Sequence, residues 1–273
     1  MNSKALKINT KGEFQYITFP KLENTGVVKH LFSTRLGGVS SGRYATMNLS
    51  FTNGDNKENV LKNYEICCSA VGIDIENLVL SRQTHTNNVK NVTINDRGTG
   101  IFKDSFSDID GLITNQKGVA LVTQYADCTP LLFCDPVKKV IASSHAGWRG
   151  TIKEIGRITV EKMVTEYGCN PKDIIACIGP CIKECCYEVD EPVYSEFKKL
   201  EYLDLTKIFK EKSNGKYMLN LVEANRQILI NAGIPKNNMD LSDICTCCNA
   251  DTLHSHRATN GERGNLAAII ELI

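Results

Sequence analysis

Apolar residues recur at the spacing of a helix face in three segments of the chain. These segments are residues 57–71, 151–167 and 222–231. Each segment ends at or near a glycine, as helix C-termini often do. The periodicity and these endings together predict three helices.

Short runs of apolar and β-branched residues outside these segments predict strands. The runs are residues 28–33, 78–82, 91–94, 111–114, 119–124, 131–134, 140–143 and 174–178. Several neighbouring runs are joined by turns that are too short for a crossover helix, so some strand pairs must be antiparallel. No linker, repeat or low-complexity stretch divides the chain. We therefore predict a single domain, residues 1–273, with an α/β (α+β) fold of mixed β-sheets flanked by helices.

Charge and composition narrow the classes of protein. The 32 Lys+Arg nearly balance the 31 Asp+Glu and form no basic block, which argues against binding of nucleic acid or of an anionic membrane surface. No apolar run approaches the ~20 residues of a membrane-spanning helix, and the N-terminal residues lack the apolar region of a signal peptide. Twelve cysteines in 273 residues are too few for a small disulfide scaffold. We therefore expect a reduced, cytoplasmic protein without a membrane partner.

Two histidines and one cysteine are the strongest candidates for chemistry. The chain between Cys128 and His145 is expected to form two strands joined by a turn, and Pro136 suits the second position of that turn. A loop that is symmetric about Pro136 and Val137 places Cys128 opposite His145, with Cβ atoms about 4.5–5.5 Å apart. His85 follows another predicted strand and is a candidate for a third ligand.

Two imidazoles and one thiolate suit Zn²⁺, and three protein ligands leave a fourth position open, as in catalytic zinc sites. A metal there polarises water or a substrate oxygen. Asp127, the neighbour of Cys128, is a candidate hydrogen-bond acceptor or proton carrier beside the metal. The residues alone leave an alternative open, in which Cys128 is a buried apolar thiol and His145 is a turn histidine with satisfied hydrogen bonds.

Two arginines in glycine-containing turns are candidates for binding an anion. Arg149 follows His145 by four residues, where the chain enters the predicted second helix, and a guanidinium beside a helix N-terminus suits phosphate. Arg35 lies on a Gly-Gly turn after a predicted strand and suits a polar ligand. A solvated turn arginine is the ordinary alternative for both residues.

Two further groups of cysteines and histidines are candidates for a second metal site or a redox pair. They are Cys181, Cys185 and Cys186, and then Cys245, Cys247, Cys248, His254 and His256. Neither group has the two Cys-x-x-Cys pairs that make up a zinc ribbon. We therefore expect most of these cysteines to be isolated core thiols rather than ligands of a structural zinc.

Seven strings occur in order along the chain. They are His-Leu-Phe-Ser-Thr-Arg-Leu-Gly-Gly-Val-Ser (30–40), Gln-Thr-His (83–85), Asp-Ile-Asp-Gly-Leu-Ile-Thr (108–114), Ala-Asp-Cys-Thr-Pro-Leu-Leu (126–132), His-Ala-Gly-Trp-Arg-Gly (145–150), Ile-Gly-Pro-Cys-Ile (178–182) and Cys-Tyr-Glu-Val (186–189). From about residue 28 to the C-terminus the chain thereby resembles the polyphenol-oxidase or laccase-domain family. Its members are regarded as zinc-dependent purine nucleoside phosphorylases, and it includes the bacterial peptidoglycan editing factor.

The resemblance implies roles for individual residues. It places the metal ligands at His85, Cys128 and His145, the trio that the hairpin argument also indicates, with Zn²⁺ as the cofactor. Asp127 and Arg149 are the candidate catalytic residues. The candidate substrate-binding residues are Arg35, Asn48, Gln83, Asp110 and Arg257.

The activities implied by the resemblance are phosphorolysis of adenosine, inosine, guanosine and S-methyl-5′-thioadenosine, and deamination of adenosine to inosine. Phosphorolysis requires phosphate at the sugar C1′ while the base leaves with a proton, whereas deamination requires an activated water at purine C6. The expected partners are therefore small purine nucleosides and phosphate. The preferred nucleoside and the oligomeric state stay open.

The chain departs from the family near its C-terminus. Where members commonly have Phe-Ser-Tyr-Arg-Arg and then Thr-Gly-Arg-Met, this chain has Leu-His-Ser-His-Arg-Ala (253–258) and Arg-Gly-Asn-Leu (263–266). His256 thus replaces an aromatic residue and Asn265 replaces an arginine. If these positions contact substrate, Arg257 or Arg263 has to compensate for the lost arginine.

Other classes of enzyme fit the sequence less well or share the same site. A multicopper laccase takes most of its ligands from paired His-x-His motifs, but this chain has five histidines and one such pair. A deaminase of the cytidine type needs His-x-Glu and Pro-Cys-x-x-Cys, and the chain has neither. A cysteine hydrolase with Cys128 as nucleophile and His145 as base is the strongest rival. Hydrolytic editing of peptidoglycan precursors shares the site but changes the substrate.

Overall fold

Two large mixed β-sheets pack against each other in the computed structural model, which describes residues 1–273. The strands are β1 Lys7–Lys11, β2 Phe14–Thr18, β3 Val28–Ser33, β4 Leu78–Arg82, β5 Val89–Asn91, β6 Phe106–Ser107, β7 Gly111–Thr114, β8 Ala120–Tyr125, β9 Thr129–Asp135, β10 Val140–Ala146, β11 Ile175–Ile178, β12 Glu188–Val189, β13 Phe209–Glu211, β14 Tyr217–Leu219, β15 Met239–Leu241 and β16 Leu266–Leu272. The helices are α1 Pro20–Thr25, α2 Lys57–Val71, α3 Trp148–Ile152, α4 Ile155–Tyr167, α5 Glu191–Lys198, α6 Leu205–Ile208 and α7 Leu221–Asn231.

Each large sheet combines parallel and antiparallel neighbours. The first has the order β1-β2-β3-β16-β8-β4-β6, and the second has the order β15-β11-β9-β10-β7-β5. The pairs β4–β8, β4–β6, β5–β7 and β11–β15 are parallel, while the other pairs in these sheets are antiparallel. A small third sheet has the order β12-β14-β13. The predicted fold class of mixed sheets flanked by helices is confirmed.

The sheets and helices form four layers. A core that includes Phe32 and Leu121 of the first sheet and Leu132 of the second fills the space between the sheets. Helix α2 covers the outer face of the first sheet, and α4 and α7 cover the outer face of the second. Burial of apolar surface on both faces explains why the central strands are almost continuously apolar. No helix combines the length and the apolar character that a membrane crossing needs.

Several predicted elements agree with the structure, and others need correction. The predicted helix 57–71 is α2, and the predicted strands 28–33, 78–82 and 111–114 are β3, β4 and β7. The single helix predicted at 151–167 is wrong, because α3 and α4 are separate helices that meet at Glu154 in a left-handed conformation (φ 56°). The strand predicted at 91–94 is also wrong, because β5 ends at Asn91 and a 3₁₀ turn follows.

The register of the β9–β10 hairpin differs from the prediction by two residues. His145 pairs with Pro130 rather than with Cys128. The loop is longer than predicted because the Asp135 carboxylate accepts hydrogen bonds from the amides of Val137 and Lys138, which extends the turn. Side chains alternate with a period of two along a strand, so a shift of two residues keeps Cys128 and His145 on the same face.

Candidate metal centre and active-site cleft

A cleft of about 650 Å³ opens at the end of the β9–β10 hairpin. Its lining comes from the C-terminal ends of β4, β8 and β10 and from the segments that follow β11 and precede β16. The cleft therefore gathers residues from both sheets at one edge of the molecule. His85, Cys128 and His145 all line it.

The three predicted ligands come together in the structure. The donor atoms of His85, Cys128 and His145 lie within 4.8 Å of one another. The Cys128 Sγ is 3.8 Å from His85 Nε2, and the centroids of the two imidazole rings are 4.9 Å apart. Two nitrogens and one sulfur at these separations can hold one small metal ion and leave a further coordination position free.

Gly147 makes room for this arrangement. In the observed register it lies opposite Cys128, just beyond the last paired residues of β9 and β10. A Cβ on residue 147 would lie 2.9 Å from Cys128 Sγ and 2.9 Å from His85 Cδ2. The absence of a side chain here thus allows the thiol and the imidazole to approach each other.

Asp110 orients two of the three ligands. Its carboxylate accepts a 2.9 Å hydrogen bond from His145 Nδ1, which leaves Nε2 of that ring free to bind a metal. It also accepts hydrogen bonds from the backbone amides of Thr84, His85 and Thr86. These bonds hold His85 in a left-handed backbone conformation (φ 64°) that a residue with a side chain rarely adopts. Asp110 lies behind the ligands rather than in the lining of the cleft.

The thiol and the imidazoles change one another's ionisation. Burial opposes the charged form of Cys128, but His145 and His85 outweigh it and lower the pKa of the thiol to about 6. Burial also disfavours protonated His145, yet Cys128 and Asp110 raise the pKa of this imidazole to about 9. Burial acts against ionised Asp110 as well, but its hydrogen bond and charge interaction with His145 hold the pKa of the carboxyl well below its usual range. The metal-free site is therefore a thiolate–imidazolium pair at neutral pH.

Asp127 lines the cleft next to Cys128 and has two hydrogen-bonded partners. Its carboxylate accepts hydrogen bonds from the Thr246 hydroxyl (2.6 Å) and from the backbone N–H of Arg257 (2.7 Å). Its backbone has a positive φ of 84°. Asp127 thus connects the segment that carries Cys128 to the segment that carries Arg257.

Arg149 and Arg257 both line the cleft and are exposed. The Arg149 guanidinium lies 4.3 Å from the centroid of the Trp148 ring and the Arg257 guanidinium lies 5.4 Å from that of Tyr187. Arg257 also donates hydrogen bonds to the carbonyls of Cys186 and Glu188, which fix its direction. Stacking on an aromatic ring leaves N–H groups available for an anion.

The C-terminal departures from the family also lie in the cleft. His256, Arg263 and Asn265 are among its lining residues. The Arg263 guanidinium donates a short hydrogen bond to the Asn265 side chain, while its Nε is buried without a partner. Burial lowers the pKa of Arg263, against the opposing effect of Asp127 and Cys128. The structure therefore places a partly buried cation beside Asn265.

Three predicted substrate-binding residues have structural partners instead. Arg35 lies outside the cleft lining, and its guanidinium donates to the carbonyls of Ala45 and Ala250. Asn48 is fully buried, and its side chain accepts a hydrogen bond from the Asn265 backbone N–H. Gln83 does line the cleft, but both ends of its amide bond the backbone of Gln124 in β8.

The aromatic residues of the cleft were missed by sequence reasoning. Phe51, Tyr125, Trp148 and Tyr187 line it, and so does a further arginine, Arg82. Trp148 and Tyr187 lie inside strings that carry the family resemblance, so their position in those strings was the available signal. Phe51 lies outside the strings, and only the tertiary structure reveals its place.

Four of the remaining cysteines also come together. The sulfur atoms of Cys185, Cys186, Cys245 and Cys248 lie within 4.8 Å of one another. This group does not include the other candidates, Cys181, Cys247, His254 and His256. The expectation of isolated core thiols is therefore wrong for these four, whose side chains lie against one another although 63 residues separate Cys185 from Cys248.

Comparison with known proteins gives the same picture. Residues 29–273 match the family model described as multi-copper polyphenol oxidoreductase laccase. The chain is 37% identical to the purine nucleoside phosphorylase YlmD of Bacillus subtilis over 88% of this chain and 86% of that protein. It is 32% identical to adenosine deaminase RL5 of an unknown prokaryotic organism, over 83% and 87% of the two chains. The crystal structure of the hypothetical protein YfiH of Bacillus licheniformis superposes with a TM-score of 0.93 at 31% identity, over 99% of this chain and 100% of that one.

Proposed function

Because the chain belongs to the polyphenol oxidoreductase laccase-domain family, we propose that it is a zinc-dependent purine nucleoside phosphorylase. The observation that carries the proposal is the trio His85, Cys128 and His145 in a cleft that several arginines line. The names of its relatives support an enzyme that processes nucleosides. The substrates we propose are adenosine, inosine, guanosine and S-methyl-5′-thioadenosine.

The donor set fits Zn²⁺. One thiolate and two imidazoles are usual zinc ligands, and Asp110 supplies the carboxylate that commonly accepts a hydrogen bond from a zinc-bound histidine. A bound zinc ion supplies positive charge that polarises an oxygen of the substrate or of water. In our proposal His85, Cys128 and His145 hold the ion.

Copper chemistry of the multicopper type is less well supported. Beyond the trio, the chain has three histidines, and two of these are buried away from it. His30 Nε2 accepts a hydrogen bond from the Phe19 N–H, and His254 Nδ1 accepts one from the Gly264 N–H. The cleft also contains no methionine to act as the axial ligand of a blue-copper site.

Phosphate binding is assigned to the arginines of the cleft. Arg149 and Arg257 are exposed at its wall, and Arg263 is more deeply buried with an unpartnered Nε. Guanidinium groups bind phosphate oxygens through paired N–H donors. In our proposal, phosphate held by these residues attacks the sugar C1′ within the cleft that the trio also lines. The aromatic side chains that line the cleft offer apolar surface for a purine.

We also propose adenosine deaminase activity, because one relative is named for it. Asp127 is the proposed proton carrier, since its carboxylate lies in the cleft beside Cys128. In the structure this carboxylate accepts hydrogen bonds from Thr246 and Arg257, so it also positions the cleft wall. The location we propose is the cytoplasm, because all twelve cysteines are free thiols, as a reducing compartment would keep them.

Product analysis tests the proposal. The zinc-loaded protein is incubated with adenosine, with and without phosphate, beside the Cys128→Ala variant and a Cys247→Ser control outside the trio. We expect adenine and ribose 1-phosphate only with phosphate, inosine in either case, and neither from Cys128→Ala. Absence of turnover from fully zinc-loaded protein contradicts the proposal and favours a hydrolase of peptidoglycan precursors.

The cysteine-hydrolase alternative has one observation in its favour. The pKa of Cys128 is lowered to about 6, so a metal-free protein carries a thiolate beside an imidazolium at neutral pH. A thiolate enzyme keeps its activity after chelation and loses it on alkylation. The proposed enzyme loses activity on chelation and regains it with Zn²⁺.

A further inference from the structure

The four thiols of Cys185, Cys186, Cys245 and Cys248 have the composition and spacing of a metal site. The Cys248 Sγ lies 3.4 Å from that of Cys185 and 3.3 Å from that of Cys186. All four sulfurs are within 4.8 Å of one another. Tetrahedral zinc with Zn–S bonds of about 2.3 Å holds its sulfur ligands about 3.8 Å apart, which lies within this range.

Two turns from distant parts of the chain create the cluster. Cys185 and Cys186 lie on the turn before β12, in which the Cys186 N–H donates to the carbonyl of Lys183. Cys245 and Cys248 lie on a turn after β15 that is closed by a bond from the Asn249 N–H to the Cys245 carbonyl. A β-bridge between Cys181 and Cys245 sets the two turns side by side. The backbone thus brings the thiols together by its own hydrogen bonds.

One backbone contact suits a metal-bound thiolate at Cys245. The Lys183 backbone N–H donates to Cys245 Sγ at 3.4 Å, and such N–H donors support metal-bound thiolates. None of the four cysteines forms a disulfide. A disulfide would use only two of the four sulfurs, whereas one divalent ion uses all of them.

We propose that Cys185, Cys186, Cys245 and Cys248 bind a structural Zn²⁺ ion, separate from the site at His85, Cys128 and His145. Four thiolates select a thiophilic ion in tetrahedral geometry. With four protein ligands the site is closed, so the ion stabilises structure and does not bind substrate. This proposal does not rest on the enzymatic activity proposed above.

The proposed ion crosslinks a segment that lines the cleft to a turn that supports the lining residue Asp127. Tyr187, which lines the cleft, directly follows Cys186, and the Arg257 guanidinium donates to the Cys186 carbonyl. On the other turn, Thr246 follows Cys245 and its hydroxyl donates to Asp127. Loss of the ion is therefore expected to loosen this wall without removing any ligand of the trio.

Metal analysis of the full-length protein, loaded with Zn²⁺ and freed of excess, tests the site. We expect about two zinc ions per chain in the unaltered protein and about one each in Cys248→Ser and in Cys128→Ser. Cys247→Ser is the matched control, since Cys247 lies on the same turn but outside the group, and it should keep both ions. Equal zinc content in Cys248→Ser and Cys247→Ser overturns the proposal.

Cobalt substitution of the Cys128→Ser variant provides a second readout, in which the four clustered cysteines stay unaltered. Thiolate ligands give Co²⁺ strong charge-transfer absorption in the near ultraviolet, and this variant retains the four clustered thiols but lacks the thiol of the trio. We expect strong absorption at one equivalent of Co²⁺. Its absence overturns the proposal, as does a brown iron–sulfur chromophore in the isolated protein or a disulfide among the four cysteines.

Discussion

Cys128 and Gly147 lie opposite each other at the open end of the β9–β10 hairpin, and the position of the Cys128 thiol requires that residue 147 has no side chain. A Cβ at residue 147 would approach Cys128 Sγ to 2.9 Å. Gly147 has a φ of −66°, which an alanine adopts without strain. The glycine is therefore required for space and not for its backbone conformation.

Gly147→Ala is expected to weaken metal binding. The added methyl group displaces Cys128 or His85, and overpacking of this kind costs about 1–3 kcal/mol, which corresponds to a loss of about 5- to 160-fold in metal affinity if the strain falls on the site. Competition with a chelator of known affinity measures the change. Gly156→Ala in α4 is the control, because its Cβ would meet only flexible leucine side chains. Equal affinity in the two variants would show that the site tolerates the methyl group.

Asp110→Asn is expected to reduce metal affinity by about 10- to 100-fold, the usual effect of losing an outer carboxylate. A neutral amide cannot act as the charged partner of His145 and also accept the hydrogen bonds from the backbone N–H groups of residues 84–86. Chelator competition again provides the measurement. Asp108→Asn is the matched control, since Asp108 bonds the Thr84 hydroxyl in the same loop but not a ligand. An affinity as high as that of the control contradicts the orienting role of Asp110.

In the metal-free protein, alkylation of Cys128 is expected to rise with pH around a midpoint of about 6. His145 and His85 stabilise the thiolate against the effect of burial, so the folded-state pKa lies below that of an unfolded thiol. Peptide mass mapping after iodoacetamide treatment at each pH gives the profile. The same peptide from denatured protein is the control and should titrate near the ordinary thiol value of about 8.5. A shared midpoint in both states rules out the thiolate–imidazolium pair.

The same pair is expected to contribute little to the pH dependence of stability. The pKa of Cys128 is lowered to about 6 in the folded state, so above that pH the unfolded chain binds more protons at this thiol than the folded chain does. The contribution of this group to stability therefore rises with pH. The raised pKa of His145, about 9, acts in the opposite direction, and its contribution is lost as pH rises toward 9. The two effects offset each other between these values. Urea unfolding of the metal-free protein and of Cys128→Ser from pH 7 to 8.5 measures the free energy of unfolding of each. A steep pH dependence of this free energy in the unaltered protein alone contradicts the expectation.

Arg149→Ala is expected to raise the KM for phosphate by about tenfold or more, with a smaller change in the KM for the nucleoside. The guanidinium is stacked on Trp148 at the cleft wall, and in the proposed function it binds the phosphate rather than the purine. Initial rates with each substrate varied in turn separate the two constants. Arg157→Ala, whose side chain pairs with Glu154 and Glu161 outside the cleft, serves as control. Equal effects on both KM values remove the phosphate role from Arg149.

Sequence reasoning placed Cys128 and His145 close together although the predicted hairpin register was wrong. The shift of two residues in the hairpin preserved the face on which Cys128 and His145 lie, because side chains alternate with a period of two. A shift of one residue would have separated them. The loop length itself depended on the Asp135 carboxylate, which turn composition alone did not indicate.

The failures have a common physical cause. Arg35 and Arg149 occur in similar glycine-rich turns, but only the packed structure shows that Arg35 is bound to the carbonyls of Ala45 and Ala250. Strand β16 lies between β3 and β8 and is buried along its length, so its apolar run lacks the alternation that would mark a strand. The single-domain organisation stays a prediction.

Local sequence determined the elements with strong periodicity, such as α2, and the shared face of Cys128 and His145 on one hairpin, because spacing and strand alternation are local properties. Only the tertiary structure placed Arg263 in the cleft and brought Cys248 against Cys185. Those contacts join residues far apart in the chain, and their formation depends on how sheets and turns pack around a shared core. Periodicity and motif spacing carry no information about such packing, which is why the sequence offered these cysteines only as candidates and the folded protein showed which four come together.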